Sequence, residues 1–365
     1  MHVFVRVFLY LIALPLYFFY TLETRVRDRI AISLNDKHLD KRIVSLDPDL
    51  ASGKKFAIFA IFPRLEMLNS VKRLRTFIVK EGFTPIFIVN DNPLASKWIS
   101  AMEKFGDTII LRRNIGHDFG AYQSGITFLE SKGLLLTTDQ LLLVNDSAIY
   151  TPRSQALLDS FFETVKPWKS LTFSTQPEFH SQSYFLAFGP EILKSEVFRQ
   201  FWRDYYPTSL RHLVIKHGEI GLSRILIDAG WLPVTLDSKQ SATLINPAKH
   251  PLKLEERIAL FSDSTGYTGV GEIDSELVEN RLFHELYERN PSQTLGPYLA
   301  RTAGYPLKRD LLYGRLYSHR DIVRCLEECG IEGQELEELR ELFLSTLVVR
   351  SGTLHSLWRR FGFAR

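Results

Sequence analysis

The stretch DQLLLVNDSAIYTP (139–152) carries an apolar tetrad, Leu141 to Val144, straight into Asn145, Asp146 and Ser147. A short apolar run bounded by turn residues reads as a strand buried on both faces of a parallel sheet. A carboxylate at the end of such a strand is costly to bury unless it meets a cation or hydrogen-bond donors. Two readings of Asn145-Asp146-Ser147 are open. The cluster turns the chain, or Asp146 stands at the carboxyl edge of the sheet, where open α/β proteins place their ligands.

On the N-terminal side of this strand the same alternation recurs. FAIFAIF (56–62) reads as a buried strand, and LEMLNSVKRLRTFIVKEG as an amphipathic helix ending at Gly82. TPIFIVNDNP is a second strand, ASKWISAMEKFG a helix and DTIILRRN a third strand. FGAYQSGITFLESKG is a helix with Asp118 placed to cap it, and a further helix succeeds the opening strand near 153–165. Strand–helix units in succession predict an α/β fold with a mainly parallel sheet and right-handed crossovers. Beyond Ser170 the alternation changes. SLTFSTQ and SYFLAFGP read as strands, EILKSEVFRQFWRDYY and GEIGLSRILIDAG as helices, and the region from 246 onward as mostly helical.

The chain has 365 residues, 45% hydrophobic and 24% charged, with a formal net charge of +3. This describes an ordered protein with a full core and disfavours a dedicated nucleic-acid binder. Its two cysteines, Cys325 and Cys329, imply no disulfide framework. The N-terminus, MHVFVRVFLYLIALPLYFFYTLETRVRDR, has an uncharged stretch from Val7 to Tyr20 with Pro15 inside it. As a helix that stretch reaches about 21 Å, short of the ~30 Å hydrocarbon core, and counting from Val3 brings it near spanning length. A membrane-associated helix over 1–30 is the expectation, either spanning or re-entrant. Arg25, Arg27 and Arg29 would keep the following domain on the cytoplasmic side. The C-terminal LHSLWRRFGFAR interleaves aromatic and basic residues, as an interfacial segment or a basic tail does.

The fold itself gathers the residues at the strand ends: Asp91 after the second strand, Arg112, Arg113 and Asn114 after the third, Asp146 after the fourth. Carboxylates, arginines and glycine-containing turns at one sheet edge suit a nucleoside diphosphate, with or without a divalent cation. No G-x-G-x-x-G succeeds the first strand and no Walker A pattern is present, which disfavours dinucleotide and P-loop chemistry. HDFG (117–120) and HRD (319–321) stand in the reverse of the kinase order and without a glycine loop.

At RRNIGHDFGAYQSGI, LLLVNDSAIYTP and FHSQSYFLAFGPEILKSEVFRQFW the sequence resembles the rhamnan synthesis protein F family of bacterial polysaccharide glycosyltransferases. The resemblance covers roughly 55–240, and NPSQTLGPYLARTAGYPLKRDLL is similar to the family's C-terminal part. More distantly, the order of parts is similar to the GT-A nucleotide-sugar transferase fold. This implies a GT-A-like domain over 50–245, between the membrane-associated helix and a mostly helical region over 246–365. It implies a donor site made by Asp91, Arg112, Arg113, Asn114, Gly116, Asp118, Asn145 and Ser147. Asp146 would hold Mg²⁺ or Mn²⁺, and Glu219 would be the catalytic base of an inverting transfer. His180, Gln182 and Tyr184 would line the acceptor side. GT-A enzymes carry a D-x-D pair, whereas Asp146 is flanked by Asn145 and Ser147. A metal-independent site, with Arg112 or Arg113 screening the diphosphate, therefore stays open. Asp118 is equally an N-cap, and Glu219 equally a carboxylate favoured by a helix N-terminus. The implied reaction moves a sugar, with L-rhamnose a candidate, from a nucleotide-sugar donor to a lipid-linked glycan at the cytoplasmic face of the bacterial inner membrane. A non-catalytic scaffold and a phosphosugar or polyol-phosphate transferase are the alternatives.

Overall fold

The structure, a computed structural model, describes residues 18–30, 42–163, 166–174, 178–235, 292, 296–313, 317 and 319–349. The N-terminal apolar run before residue 18, the segment 236–291 and LHSLWRRFGFAR lie outside the described residues.

An eight-stranded sheet organises the rest. Its strands are β1 (Arg42–Ser45), β2 (Lys55–Ile61), β3 (Thr84–Asn90), β4 (Thr108–Arg112), β5 (Gln140–Asn145), β7 (Trp168–Ser170), β10 (Phe185–Phe188) and β11 (Val234–Thr235). They lie side by side in the order β1-β4-β3-β2-β5-β10-β7-β11. A separate ribbon pairs β8 (Phe173–Ser174) with β9 (His180–Ser181). The four expected strands, β2 to β5, run parallel to one another. Their residues divide by parity. Ala57, Phe59 and Ile61 enter one core with Phe87, Val89, Leu142 and Val144. Phe56, Ile58 and Ala60 enter the other with Ile86, Ile88, Leu141 and Leu143. Both faces are covered, which is why the strands read as unbroken apolar runs.

Helices α2 (Leu68–Lys80), α3 (Ala95–Met102) and α5 (Ser154–Glu163) cover the first face. The second is covered by α4 (His117–Ser131), α7 (Glu196–Asp204) and the helical run of α8 (Arg211–Val214), a π-helical turn (Ile215–Ile220) and α9 (Gly221–Asp228). The single helix expected over EILKSEVFRQFWRDYY is two, α6 (Pro190–Leu193) and α7, because Ser195 breaks out to an extended conformation and caps Phe198. The sheet is also mixed. β1 pairs antiparallel with β4, and β10 runs antiparallel to both β5 and β7.

Residues 18–30 form helix α1, whose Asp28 is buried and accepts from Thr208 Oγ1, Ser209 N and Ser209 Oγ. Among the described residues no helix is long and apolar enough to cross a membrane. The described C-terminal part contains α10 (Gly296–Ala303), α11 (Asp310–Tyr313), α12 (His319–Glu328) and α13 (Gly333–Val349). It joins the α/β body directly. β12 (Leu307–Lys308) pairs with β6 (Ala148–Ile149), just past Asp146, and Ile149 and Met67 share a core with Leu307, Ile322 and Leu326. Cys325 and Cys329 are free and buried there.

Candidate functional site

The sheet order reverses at β2. The chain proceeds outward through β3 and β4, then returns to lay β5 on β2's other side. That reversal opens a crevice at the carboxyl ends of β2 and β5, the place where doubly wound sheets bind ligands. Asp146 sits in it. Its Oδ2 accepts from Phe62 N at the end of β2, at 3.2 Å, and lies 3.9 Å from Arg309 Nη1. The residue is 7% exposed, and burial pushes its pKa up to about 6 against the opposing pull of Arg309 and Arg64. Asn145 makes the turn: its Oδ1 accepts from Ser147 N and Ser147 Oγ, at 3.0 and 2.6 Å.

Beside this turn a chain of polar groups links four elements. Asn145 Nδ2 donates to Asp118 Oδ2 at 3.1 Å, and Ser183 Oγ lies 2.7 Å from the same oxygen. Ser183 Oγ also lies 2.5 Å from Glu219 Oε1, and Ser183 N donates to that oxygen at 3.3 Å. One hydroxyl proton cannot serve two carboxylates at once, so Asp118 and Glu219 compete for it. Glu219 Oε2 faces His180 Nε2 at 3.5 Å, and His180 Nδ1 donates to the Glu178 carbonyl. Ser183 thus holds Oε1, and His180 stands at Oε2. Tyr122 donates its hydroxyl to the Ser183 carbonyl at 2.8 Å, fixing the turn that carries Ser183.

Backbone geometry aims Asp118. Gly116 has φ 84° and His117 has φ 49°, two left-handed residues in succession before the helix proper. A Cβ on Gly116 would stand 2.5 Å from Pro207 Cβ, so glycine is required there. Gly116, not Asp118, is the N-cap of α4. Asp118 lies in the first turn, where Oδ1 accepts from Phe119 N and Oδ2 faces Asn145 and Ser183. Glu219 likewise does not open a helix. It lies in the π-helical turn between α8 and α9, a feature frequent at functional sites.

Two site residues come from far downstream. Lys308 Nζ lies 3.4 Å from Ser147 Oγ and 4.0 Å from the centre of the Tyr184 ring. Burial lowers its pKa, while Glu219, Asp310 and Asp118 pull it back up. Arg309 donates through its backbone N–H to the Ser147 carbonyl at 2.8 Å and through Nη1 to the Asp146 carbonyl at 3.3 Å. Arg211, on α8, pairs with Asp310 at 3.1 Å. Sequence reasoning misses Lys308 and Arg309. Their signals are the resemblance of their segment to the family's C-terminal part and an adjacent Lys-Arg pair after Pro306, in a region that reads as helical.

Of the other expected residues, all but Tyr184 stand apart from this cluster. Arg112 corrects the expectation of a diphosphate-screening arginine. It is 1% exposed, with Nη1 on Asn90 Oδ1 at 2.6 Å and Nη2 on the Ile115 carbonyl at 2.5 Å. Burial lowers it to about 9, still protonated at neutral pH. Asp91 and Arg113 are exposed and Asn114 is half-buried at the β3–β4 edge. Gln182 is buried and its Oε1 accepts from Thr172 Oγ1 and Ser292 Oγ. Tyr184 is 1% exposed and contributes its ring face to Lys308.

The expected divalent cation at Asp146 does not fit the residues found there. Mg²⁺ and Mn²⁺ take one or two carboxylates with substrate phosphates and waters, so Asp146 would have to offer its oxygens to the ion. Asp146 Oδ2 instead meets an N–H group and a guanidinium. Among the described residues no three His, Cys, Asp or Glu side chains group to hold a metal.

Residues 86–252 match the model of the family described as rhamnan synthesis protein F. The resemblance read from the motifs holds over these residues. The match takes in Asp118, Asn145, Asp146, Ser183 and Glu219, and stops short of Lys308 and Arg309. A virulence protein of Vibrio anguillarum, VirA, is 33% identical over 173 residues, 46% of this chain and 55% of that one. The uncharacterised protein y4gN of Sinorhizobium fredii is 25% identical over 193 residues, 50% of each chain. The chain thus spans about half the length of the curated relatives it matches. Among solved structures, it is similar to a mannosyltransferase of Pyrobaculum calidifontis in complex with GDP-Man and Mn²⁺, at a TM-score of 0.32, 12% identity, and 94% and 99% coverage. A candidate nucleotide-diphospho-sugar transferase of Desulfovibrio desulfuricans gives a TM-score of 0.32, 9% identity, and 64% and 98% coverage. The α/β assignment rests on the sheet itself.

Proposed function

We propose that the protein is a glycosyltransferase that moves a sugar from a nucleotide-sugar donor to a hydroxyl of a lipid-linked glycan, with inversion. The observation that carries this reading is the polar chain that runs from Asn145 through Asp118 and Ser183 to Glu219 beside the switch-point crevice. The family match over 86–252 supports it. In the reaction the acceptor oxygen bonds to the anomeric carbon as the bond from that carbon to the diphosphate oxygen breaks. The hydroxyl proton passes to Glu219 Oε2, and the nucleoside diphosphate leaves with the electron pair. Ser183 and Asn145 hold the two carboxylates in place. His180, held by its Nδ1–H on the Glu178 carbonyl, sets Nε2 beside Glu219 Oε2 and fixes the direction in which that oxygen points. L-Rhamnose as the sugar, and O-antigen, capsule or rhamnan as the polymer, are the finer form of this proposal.

Helix α1 supports a lipid-linked acceptor and a site at the cytoplasmic face of the membrane. It presents Phe18, Phe19, Tyr20, Leu22 and Val26 partly to solvent. Beneath it lies a cavity of about 910 Å³ lined by apolar side chains such as Leu22, Val26, Phe201 and Leu213, with Arg25 and Arg29 balanced by Asp28 and Asp204. An amphiphile with an apolar chain suits both features.

The test is turnover by the full chain in detergent, given labelled nucleotide sugars and lipid extract. Labelled lipid product with release of a nucleoside diphosphate, lost in Glu219→Gln, supports the reading. Release of a nucleoside monophosphate points to phosphosugar or polyol-phosphate transfer. No turnover of any donor by folded protein returns the reading to a scaffold.

A further inference from the structure

The groups that surround Asp146 and Ser147 from other elements are hydrogen-bond donors, not oxygen ligands. Phe62 supplies an N–H, Arg309 a guanidinium and Lys308 an ammonium. Arg64, three residues past the end of β2, stacks on Phe62 and acts electrostatically on Asp146. The Nε groups of Arg64 and Arg309 are buried and make no hydrogen bond among the described residues. A buried donor without a partner is costly, and a pair of them beside one turn marks a place prepared for an acceptor-rich ligand. Lys308 is itself positioned for this. The Tyr184 ring lies under its ammonium, and Ser147 Oγ is its neighbour.

We infer that Lys308 and Arg309, with Arg64, form the diphosphate-binding site of the donor and take the place of a divalent cation. This rests on the transferase reading and deepens it. A diphosphate is an anion rich in acceptor oxygens, which a guanidinium fork and an ammonium match directly. Asp146 then has a different task from the one its motif implies. It accepts from Phe62 N, faces Arg309 and sits within the field of Arg64, so it orders the cations rather than a metal. The backbone supports the same geometry. β12 is stitched to β6 two residues after Asp146, and the N–H of Arg309 bonds the Ser147 carbonyl, so both cations are delivered by main-chain hydrogen bonds. The site is therefore completed by residues outside the family match, which ends at 252.

The test is calorimetric binding of UDP, GDP, dTDP and CDP to the full chain, in EDTA and in Mn²⁺. Lys308→Gln, Arg309→Ala and Arg309→Lys are measured alongside, each checked for a wild-type melting profile. At least one nucleotide is expected to bind in EDTA with a Kd within about threefold of its value in Mn²⁺. Lys308→Gln and Arg309→Ala should each weaken it roughly tenfold or more, with partial recovery in Arg309→Lys, and inorganic pyrophosphate should compete. A nucleotide that binds only with Mn²⁺, with affinity unchanged in Arg309→Ala, overturns this inference and leaves the transferase reading standing. Failure of every nucleotide to bind folded protein in either condition overturns both.

Discussion

The carboxyl edge of the sheet has two ends that look alike in sequence and behave differently. At the β3–β4 end, Asn90, Asp91, Arg112 and Arg113 follow apolar strands. At the β5 end, Asn145, Asp146 and Ser147 do the same. In the first, the polar side chains that are buried close on each other: Arg112 ties Asn90 to the Ile115 carbonyl and braces the start of α4. In the second, they are met by groups from α4 and the strand β12, and Asp118 of α4 carries the chain on through Ser183 to Glu219 of the π-helical turn. A polar residue at a strand end becomes a site only where other elements converge on it. The reversal of strand order at β2 makes that happen at β5 and not at β4.

This contrast can be attacked at four points. The largest effect is expected at the β5 end: Glu219→Gln should cut sugar transfer about a thousandfold, within the range for loss of a general base, at unchanged melting temperature. Initial-rate measurements at saturating donor check this, and a rate near wild type would move the base elsewhere.

Next comes Asp146→Asn, where stability and activity should part. The folded-state pKa, about 6, lies above the ordinary 3.8, so the folded protein holds its proton more tightly than the unfolded chain. Ionisation of Asp146 therefore costs nothing below about pH 4, a growing amount between about 4 and 6, and a constant amount above. An uncharged amide in place of the carboxylate should stabilise the unliganded protein by up to about 3 kcal/mol at about pH 8, with the gain gone below about pH 4. Urea melts across that range measure it. A variant less stable than wild type at the alkaline end would show that ordering Arg309 and Arg64 outweighs burial.

The third point lies at the bracing end. A Cβ on Gly120 would stand 2.2 Å from the Ile115 carbonyl oxygen, so Gly120→Ala should destabilise by about 2 kcal/mol. A denaturation midpoint equal to wild type would mean that the loop before α4 yields more readily than its bonds to Arg112 suggest. The smallest effects belong to Asp91→Ala and Arg113→Ala, exposed at that same end: stability within about 0.5 kcal/mol and nucleotide affinity unchanged. A loss of affinity of about tenfold in either would extend the donor site across both ends and erase the distinction.

Much of the central fold was legible because both-face burial leaves a direct trace. The apolar runs in β2, β3 and β5 and the periodic stripes of α2 and α3 need no long-range information. β1 was not legible: it is a four-residue edge strand, half exposed and without alternation. Nor was the direction of β10, since an apolar run carries no sign of whether its neighbour runs with or against it. At the site, Asp118, Asn145, Asp146 and Glu219 are found through motif and position at strand ends. Ser183 escapes notice between two larger neighbours, Gln182, which bonds Thr172, and Tyr184, whose ring lies under Lys308. Lys308 and Arg309 are out of reach for a different reason. Their place depends on a two-residue ribbon to β6, and pairing that short has no periodicity to read.

That ribbon also sets an order of events during synthesis. Ser147 and Lys308 are 161 residues apart in the chain. At about 5–20 residues per second, roughly 8 to 30 s pass between their departures from the peptidyl-transferase centre. Through that interval the nascent sheet can assemble around β2 to β5 while its crevice lacks both cations. On the proposed reading, a ribosome-bound chain that has formed β2 to β5 still lacks the two cations, and it gains them only when β12 pairs with β6.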